Sequence, residues 1–466
     1  MFRRNKNYII ATPSAFDKRL RKKNMFTLFG LACFGLGAIL VANQWQPSQN
    51  NHQSSNPSLV TDQPLTQTDE ALAQKDTLPL EPAKIKIDKA FLRNALGSYI
   101  EVGQFPSQLG YNDQNLYIDY TIDQDLQDWA NARLARYNPD YGVFVALDPD
   151  TGKIIALASS RRDQQQSSGL AFKATYPAAS TFKLITAAAA LEEGIATPKT
   201  IFSFNGKSTS LYKTQVFQTK FNKWTRKISF KTAFAKSVNP IFGRLGAKSI
   251  GGETLVNYAE RFGFNAKFSS DFEFDNGSIN IDLDDQWQAA EAASGYTRSN
   301  TLSPVHGAVL AASIANGGKL ISPSIVESVT DAKNQVLYSS DQPQALTVLS
   351  KKSALAMQQL MRATISEGTG RRTFRTFSNK KKYSDIITGG KSGHLRGFEP
   401  KGSYDWFIGY GERDDKKIAY AVLCINKDKW YVKSSRFARE ALEHYFQQPK
   451  NAKMATQPST PQDKAS

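Results

Sequence analysis

The sequence predicts an α/β (α+β) fold in which an antiparallel sheet has a helical lobe inserted between its strands. Two β-rich apolar runs flank Asp-Pro-Asp-Thr-Gly at 148–152, a composition typical of a tight hairpin turn. Strand-like runs return only late, at 385–392, 404–412 and 417–426, and residues 180–360 are mostly helical in pattern. We therefore expect the late strands to join the first hairpin in one sheet, with the helical lobe between them.

The N-terminal residues are typical of a membrane anchor. Residues 1–24 contain eight lysines and arginines against the single acid Asp17, and residues 25–43 contain no charge. About 19 apolar residues in a helix span the hydrocarbon layer of a bilayer, and the basic flank predicts a cytoplasmic N-terminus and an exported remainder. A cleaved signal peptide is the alternative, but Leu40 fits poorly at the outer position of a cleavage site before Ala42.

Composition divides the rest of the chain. The residues after the anchor are rich in Gln, Ser and Pro without apolar periodicity, which is typical of a flexible spacer. An amphipathic helix is expected over 121–138, with Thr121 or Asp123 as its N-cap. The clearest later helices are expected over 251–264, 303–318 and 434–446. The predicted segments are a cytoplasmic tail (1–24), a single transmembrane anchor (25–43), a disordered spacer (44–84), a small lead-in segment (85–140), the main domain (141–448) and a disordered tail (449–466).

The charge balance points to an anionic partner. The formal net charge is +17 at pH 7. Nucleic acid is excluded as that partner because the basic residues are dispersed, are not interleaved with aromatic residues on one element, and are expected on an exported domain. Anionic lipid or an acidic polymer fits the charge better.

Ser180 and Lys183 are the first candidate catalytic residues. They form an S-x-x-K pattern at the start of an alanine-rich apolar helix, where both side chains share one face. Burial lowers the pKa of a lysine toward neutrality, and a neutral amine beside a hydroxyl is a general base. The pattern alone is weak, since Ser210 and Lys213 repeat it in a polar stretch.

Two further motifs follow in the chain. Ser237 and Asn239 form an S-x-N pattern, which also occurs elsewhere by chance. Lys391, Ser392 and Gly393 form the only K-[ST]-G pattern in the chain, at the end of an expected strand. A lysine and a hydroxyl on a strand edge suit a carboxylate, and glycine lets a substrate approach the backbone.

The three motifs in this order resemble those of the penicillin-binding protein transpeptidases and serine β-lactamases. Segments such as GVFVALDPDTGKIIALAS, SEGTGRRTF and DWFIGYGE are also similar to transpeptidase segments, and the resemblance extends over about 141–447. It implies a five-stranded antiparallel sheet flanked by helices and an inserted all-helical lobe. The sequence itself gives no indication of a metal or cofactor.

The resemblance also implies residue roles in acyl transfer. Ser180 would attack the penultimate D-alanine of a peptidoglycan stem peptide, and Lys183 would take the serine proton. Ser237 would relay a proton to the leaving D-alanine, and Asn239 would hold the substrate amide and Lys183.

The third motif would bind the terminal carboxylate through Lys391 and Ser392, with Gly393 beside the substrate. His394 occupies the position where the family usually has threonine, so its side chain either replaces that hydroxyl or narrows the substrate range. Its backbone N–H, with that of Ser180, would form the oxyanion hole. Ala179 replaces a common glycine, a change that a helix start is expected to tolerate.

A membrane-anchored, penicillin-binding D,D-transpeptidase is therefore expected, with a D,D-carboxypeptidase or a catalytically idle wall scaffold as alternatives. The nearest match to the β-lactamase water-activating motif begins at Glu253, where glutamate is an ordinary first-turn residue. Expected partners are stem peptides, β-lactams, the cytoplasmic membrane and membrane glycosyltransferases.

Overall fold

A computed structural model describes residues 86–447, apart from 113, 164–168, 219–220 and 341–343. The predicted cytoplasmic tail, anchor, spacer and C-terminal tail lie outside these residues. Within the described part of the chain, no helix is both long enough and apolar enough to span a membrane.

The described residues form fifteen β-strands. In chain order they are β1 Gln108–Tyr111, β2 Gln114–Tyr120, β3 Tyr141–Leu147, β4 Ile154–Arg161, β5 Tyr176–Pro177, β6 Ile201–Phe204, β7 Arg226–Ser229, β8 Thr301–Leu302, β9 Lys319–Ile321, β10 Val326–Thr330, β11 Val336–Ser339, β12 Ala345–Thr347, β13 Ile387–Phe398, β14 Lys401–Arg413 and β15 Lys416–Asn426.

The described helices are mostly short. The α-helices are α1 Lys89–Glu101, α2 Gln124–Tyr137, α3 Lys183–Glu192, α4 Lys213–Phe217, α5 Phe230–Ala235, α6 Asn239–Arg244, α7 Gly252–Arg261, α8 Gln286–Ser294, α9 Pro304–Ala315, α10 Lys351–Ser366, α11 Arg371–Ser378 and α12 Ser434–Tyr445. The 3₁₀ helices are Ala179–Phe182 and Lys381–Tyr383, and Leu245–Ile250 forms a π-helix.

The central sheet has five antiparallel strands in the order β13-β14-β15-β3-β4. The predicted joining of the late strands to the first hairpin is therefore confirmed. β13 is an edge strand, so one of its edges is left for a ligand to approach.

Both faces of this sheet are covered, which explains why β3 and most of β15 are continuously apolar and buried. Val143 and Val145 of β3 point into one core, and Phe144 and Ala146 between them point into another. Helix α9 packs on the first face, while α2, α11 and α12 contribute to the core on the second. The sheet is consequently a rigid central layer.

The helical lobe packs around α3. Its residues 183–190 are all buried, including four consecutive alanines, and it contacts α7, α8 and α10. Small side chains let neighbouring helices approach closely, so the lobe fixes the first turn of α3 in position.

The lead-in segment has more structure than the sequence indicated. The predicted helix is present as α2, and its N-cap is Asp123, whose side chain accepts a hydrogen bond from the Leu126 N–H at 3.1 Å. Strands β1 and β2 were not predicted, because in β2 only Leu116 and Ile118 are fully buried. They pair with β10 and β11 in a second, four-stranded sheet, which joins the lead-in segment to residues from beyond the predicted boundary at 140/141.

Candidate active site

The Ser180 hydroxyl faces the amine of Lys183. Ser180 lies in the 3₁₀ turn Ala179–Phe182, and α3 begins directly after it at Lys183. Their Oγ and Nζ atoms are 2.9 Å apart. Ser180 is partly exposed whereas Lys183 is completely buried, so the hydroxyl can be reached from outside while the amine cannot.

Ala179, immediately before this serine, has a φ of 50°, in the left-handed region that favours glycine. We expected alanine to be tolerated here because the position starts a helix. That reason is wrong, because Ala179 does not have a right-handed helical conformation. A non-glycine residue in this region costs about 1 kcal/mol, which the surrounding packing must offset.

Lys183 has three polar partners, all uncharged. Its Nζ contacts the Asn239 Oδ1 at 2.8 Å and the backbone carbonyl of Ser294, besides the Ser180 hydroxyl. Burial lowers the pKa of Lys183 well below its ordinary value, and the nearby charge of Lys391 lowers it further.

Asn239 is held by backbone groups on both sides. Its Nδ2 donates to the Thr209 carbonyl at 3.0 Å, and its own N–H donates to the Ser208 carbonyl at 2.8 Å. These two bonds leave the Oδ1 atom directed at Lys183. The orientation of the amide is thus fixed by the chain between β6 and α4, which sequence reasoning had not connected with the site.

Ser237 lies in the turn between α5 and α6, with a φ of 55°. It is not a helix cap, because α6 begins at Asn239 with Val238 as its N-cap. Its hydroxyl accepts a hydrogen bond from the Lys391 Nζ at 3.0 Å. The second and third motifs are therefore in direct contact.

Lys391 is also completely buried, and burial lowers its pKa to about 7. Besides Ser237, its Nζ donates to the Ser392 carbonyl at 2.7 Å. Neither Lys391 nor Lys183 pairs with a carboxylate of a described residue, so the site has two adjacent amines and no counter-charge of its own.

The Ser392 hydroxyl is hydrogen-bonded to the Thr369 hydroxyl at 2.6 Å. Thr369 follows α10 in the segment SEGTG, and its N–H donates to the Ala235 carbonyl at 3.0 Å, close to the Ser237 turn. Sequence reasoning noted this segment as similar to the family but assigned no role to Thr369. The segment could be recognised from its sequence, but only the fold shows that Thr369 lies beside Ser392 of β13.

Gly393 allows the edge strand to approach the serine turn. A Cβ atom at this position would lie 3.0 Å from the Thr181 Cγ2 and 3.3 Å from the Ala178 carbonyl oxygen. Glycine therefore lets the edge strand pack closely against the serine turn.

The His394 side chain is exposed and does not join the cluster of serines and lysines. Its ring lies 5.2 Å from the ring of Trp430, and it faces Asp405 across the β13–β14 pair. Successive side chains of a strand point to opposite faces, so His394 lies on the face opposite Lys391 and Gly393. Its side chain makes no hydrogen bond with a described residue.

Glu253 and His306 both have structural roles. Glu253 is exposed in the first turn of α7, as expected for an ordinary helix residue. His306 is fully buried and bonded to the Gly277 N–H and the Phe262 carbonyl, and burial lowers its pKa to about 4. Among the described residues there is no cluster of side chains suited to a metal ion.

A five-stranded antiparallel sheet with a buried lysine on its edge strand, together with a Ser-Lys pair at the start of a buried helix, is typical of the penicillin-binding class of proteins. The family model of the penicillin binding protein transpeptidase domain matches residues 142–443. The chain belongs to this family.

Individual relatives are more distant. The chain is 25% identical over 339 residues to stage V sporulation protein D of Bacillus subtilis, covering 67% of this chain and 50% of that protein. It is 29% identical over 343 residues to the peptidoglycan D,D-transpeptidase PbpA of Mycolicibacterium smegmatis, covering 66% of each. The match thus spans half of the first relative and just under two thirds of the second.

Solved structures share the fold. The crystal structure of PBPA from Mycobacterium tuberculosis superposes with a TM-score of 0.57 at 22% identity, covering 70% of this chain and 80% of that chain. At this identity the likeness concerns the fold alone.

Proposed function

We propose that this protein is a serine D,D-transpeptidase that cross-links peptidoglycan stem peptides through an acyl-enzyme on Ser180 and is acylated there by β-lactams. The observation that supports this most strongly is the 2.9 Å contact between the Ser180 hydroxyl and a buried lysine amine. The family, and the name of the mycobacterial relative, support peptidoglycan transpeptidation.

Lys183 acts as the general base in this proposal. A neutral amine has two N–H donors and one lone pair. The donors are matched by the Asn239 Oδ1 and the Ser294 carbonyl, which leaves the lone pair for the hydroxyl proton of Ser180. The serine oxygen can then attack the carbonyl carbon as its proton moves to Lys183.

Ser237, Lys391 and Ser392 act on the leaving D-alanine and its carboxylate. Ser237 relays the proton to the nitrogen of the departing D-alanine, while Lys391 and Ser392 bind its carboxylate. A carboxylate there supplies the counter-charge that the two lysines lack. The backbone N–H groups of Ser180 and His394 serve as the oxyanion hole, and an amine of a second stem peptide then takes the acyl group.

Hydrolysis of the acyl-enzyme would make the protein a D,D-carboxypeptidase instead. The exposed position of Glu253 supports transfer to an amine, because this carboxylate does not lie beside the acylated serine to activate water. Incubation with a peptide ending in D-Ala-D-Ala, with and without an acceptor amine, separates the two reactions by the ratio of aminolysis to hydrolysis products. Muropeptides of a deletion strain extend the test, because loss of a transpeptidase lowers cross-linking, whereas loss of a carboxypeptidase leaves pentapeptide monomers.

The cellular setting is part of the same proposal. Residues 25–43 anchor the chain in the cytoplasmic membrane and place the catalytic domain outside it, near membrane glycosyltransferases that supply glycan strands. Protease digestion of intact spheroplasts tests this topology, since an exported domain is degraded and a cytoplasmic one is protected.

Labelling with a fluorescent penicillin tests the activity. The full chain should form a covalent adduct that Ser180→Ala abolishes, while the surface variant Lys236→Arg is labelled normally. An unlabelled wild-type chain would favour the idle scaffold.

A further inference from the structure

A strongly basic groove lies beside the edge strand, outside the cluster of serines and lysines. Its volume is about 580 Å³, and it separates α11 from the segment 430–439. Four cationic side chains line it, and no aspartate or glutamate does. We call it the basic groove; its cations are Arg372, Lys433, Arg436 and Arg439, and Trp430 forms part of its wall.

The positive charge of the basic groove is only partly compensated. Arg436 and Arg439 each contact the Glu440 Oε1, at 3.0 and 3.2 Å. Arg372 and Lys433 make no salt bridge or side-chain hydrogen bond with a described residue. Arg439 also lies 4.0 Å from the Glu443 Oε1. Two carboxylates therefore serve these two arginines, and Arg372 and Lys433 remain for a ligand.

Two contacts connect the basic groove with the proposed active site. Thr369, which is bonded to the Ser392 hydroxyl, precedes Arg372 by three residues. His394 follows Ser392 by two residues, about 7 Å along the strand, and its ring lies against Trp430. The groove thus begins within the length of two to four extended peptide residues from the proposed carboxylate site.

The direction of a bound substrate follows from the proposed roles. Its terminal carboxylate lies at Lys391 and Ser392, and the carbonyl under attack lies at the oxyanion hole that includes the His394 N–H. The residues that precede this carbonyl in the peptide are therefore directed along the edge of β13 past His394. Their side chains can reach around this edge to the face on which the His394 ring contacts Trp430 and the basic groove begins.

We propose that the basic groove binds carboxylate groups of a stem peptide, upstream of its D-alanyl end. This inference rests on the proposed function. Arginine and lysine in a partly enclosed groove suit carboxylates, and the ring of Trp430, which is 47% exposed, offers an apolar surface to the aliphatic part of the peptide. The groove would distinguish peptides with free carboxylates from amidated ones.

Binding to the full chain tests this proposal without requiring turnover. Two fluorescent peptides that end in D-Ala-D-Ala are compared. One has a free carboxylate on the side chain two residues before the D-Ala-D-Ala pair, and the other has a carboxamide at the same position. With Ser180→Ala, which prevents acylation, we expect the carboxylate peptide to bind about fivefold more tightly at low salt. The double variant Arg372→Glu, Lys433→Glu, introduced in the same background, should remove this preference, and Lys333→Glu, in the turn between β10 and β11, should keep it. The neutral double variant Arg372→Gln, Lys433→Gln should also reduce the preference. It replaces the charge-reversed variant if that variant does not fold.

Other outcomes overturn the proposal. Equal affinity for the two peptides contradicts it, as does a preference that survives both double variants. An acidic peptide without D-Ala-D-Ala that binds as tightly would assign the groove to an acidic protein segment. Penicillin labelling of the unsubstituted chain is measured in parallel: its absence contradicts the proposed function, whereas normal labelling without carboxylate preference contradicts only the role of the groove.

Discussion

Lys183 and Lys391 are both fully buried, and each directs its amine nitrogen at a different serine hydroxyl. The first contacts the Ser180 Oγ at 2.9 Å and the second donates to the Ser237 Oγ at 3.0 Å. Two ammonium groups without a carboxylate partner would repel one another in a medium of low dielectric constant. The site therefore favours one neutral and one charged amine.

The rate of acylation should depend on pH in a bell shape. Lys183 must lose its proton to act as a base, and its pKa is lowered by burial and by the charge of Lys391, so activity rises as that proton is lost. Lys391 must keep its proton to bind a carboxylate, and its pKa is about 7, so the second-order rate constant should fall above about pH 7. The saturated rate constant should fall at higher pH, because a bound carboxylate stabilises the ammonium form. A second-order rate constant that stays level to pH 10 would contradict this assignment.

Lys391→Met should stabilise the fold while abolishing carboxylate recognition. The pKa of Lys391 is about 7 in the folded chain and about 10.4 when unfolded, so the unfolded state binds more protons between these values. The free energy of unfolding therefore rises with pH over this window, and the penalty of the buried charge is complete below pH 7. We expect the variant to gain about 1 to 4 kcal/mol at pH 6.

This gain is measured by denaturant unfolding at pH 6 and pH 10. It should shrink at the higher pH, where wild-type Lys391 is neutral in the folded state. Lys236→Met, at an exposed position, should leave the free energy of unfolding unchanged at both pH values. A loss of stability in Lys391→Met at pH 6 would mean that its two hydrogen bonds outweigh the cost of burial.

Gly295→Ala should disable the serine turn. A Cβ atom on Gly295 would overlap the Ala179 carbonyl and lie 2.9 Å from the Ser180 N atom. The backbone that positions the nucleophile must then move, and we expect acylation to fall by about a hundredfold, since small displacements of reacting groups have effects of that size.

Gly194→Ala is the matched control for that substitution. Gly194 has a φ of 67°, against 64° for Gly295, but a Cβ atom there has no neighbour within 4 Å. It should show the cost of backbone conformation alone, about 1 kcal/mol of stability, with normal acylation. Equal acylation rates in the two variants would show that contact with Ala179 is unimportant.

Thr369→Val and Ser392→Ala should have effects that do not add. The two hydroxyls are 2.6 Å apart, so removing either one breaks the same hydrogen bond. Each change is expected to weaken acylation by up to about tenfold, in line with about 0.5 to 1.5 kcal/mol for one hydrogen bond. A double variant whose loss equals the product of the single losses would show that Thr369 does not act through Ser392.

The sequence predicted the central sheet because its strands have unambiguous patterns. The turn at 148–152 and the long apolar runs of β14 and β15 leave few other arrangements, and the family resemblance supplied the strand number. The strands of the lead-in segment were missed because a two-residue alternation such as Leu116 and Ile118 is too short to distinguish from a loop.

The site was predicted from its motifs, but its supports were not. The Ser294 carbonyl contacts Lys183, and the Thr369 hydroxyl contacts Ser392. Gly295 has no side chain and so leaves room for Ala179. Each of these residues is distant in sequence from the one that it contacts. Composition and spacing show nothing of such contacts. His394 illustrates the same limit, because only strand alternation and the position of Trp430 show that its ring points away from the lysines.

The second-order rate constant for acylation by benzylpenicillin in Lys183→Arg tests the central claim most directly. Arginine retains the charge but cannot give up its proton near neutral pH, so it cannot serve as a base. We predict a fall of about 10²- to 10⁴-fold relative to wild type, with Lys236→Arg unchanged. A Lys183→Arg rate constant close to that of wild type would contradict the activation of Ser180 by a neutral amine.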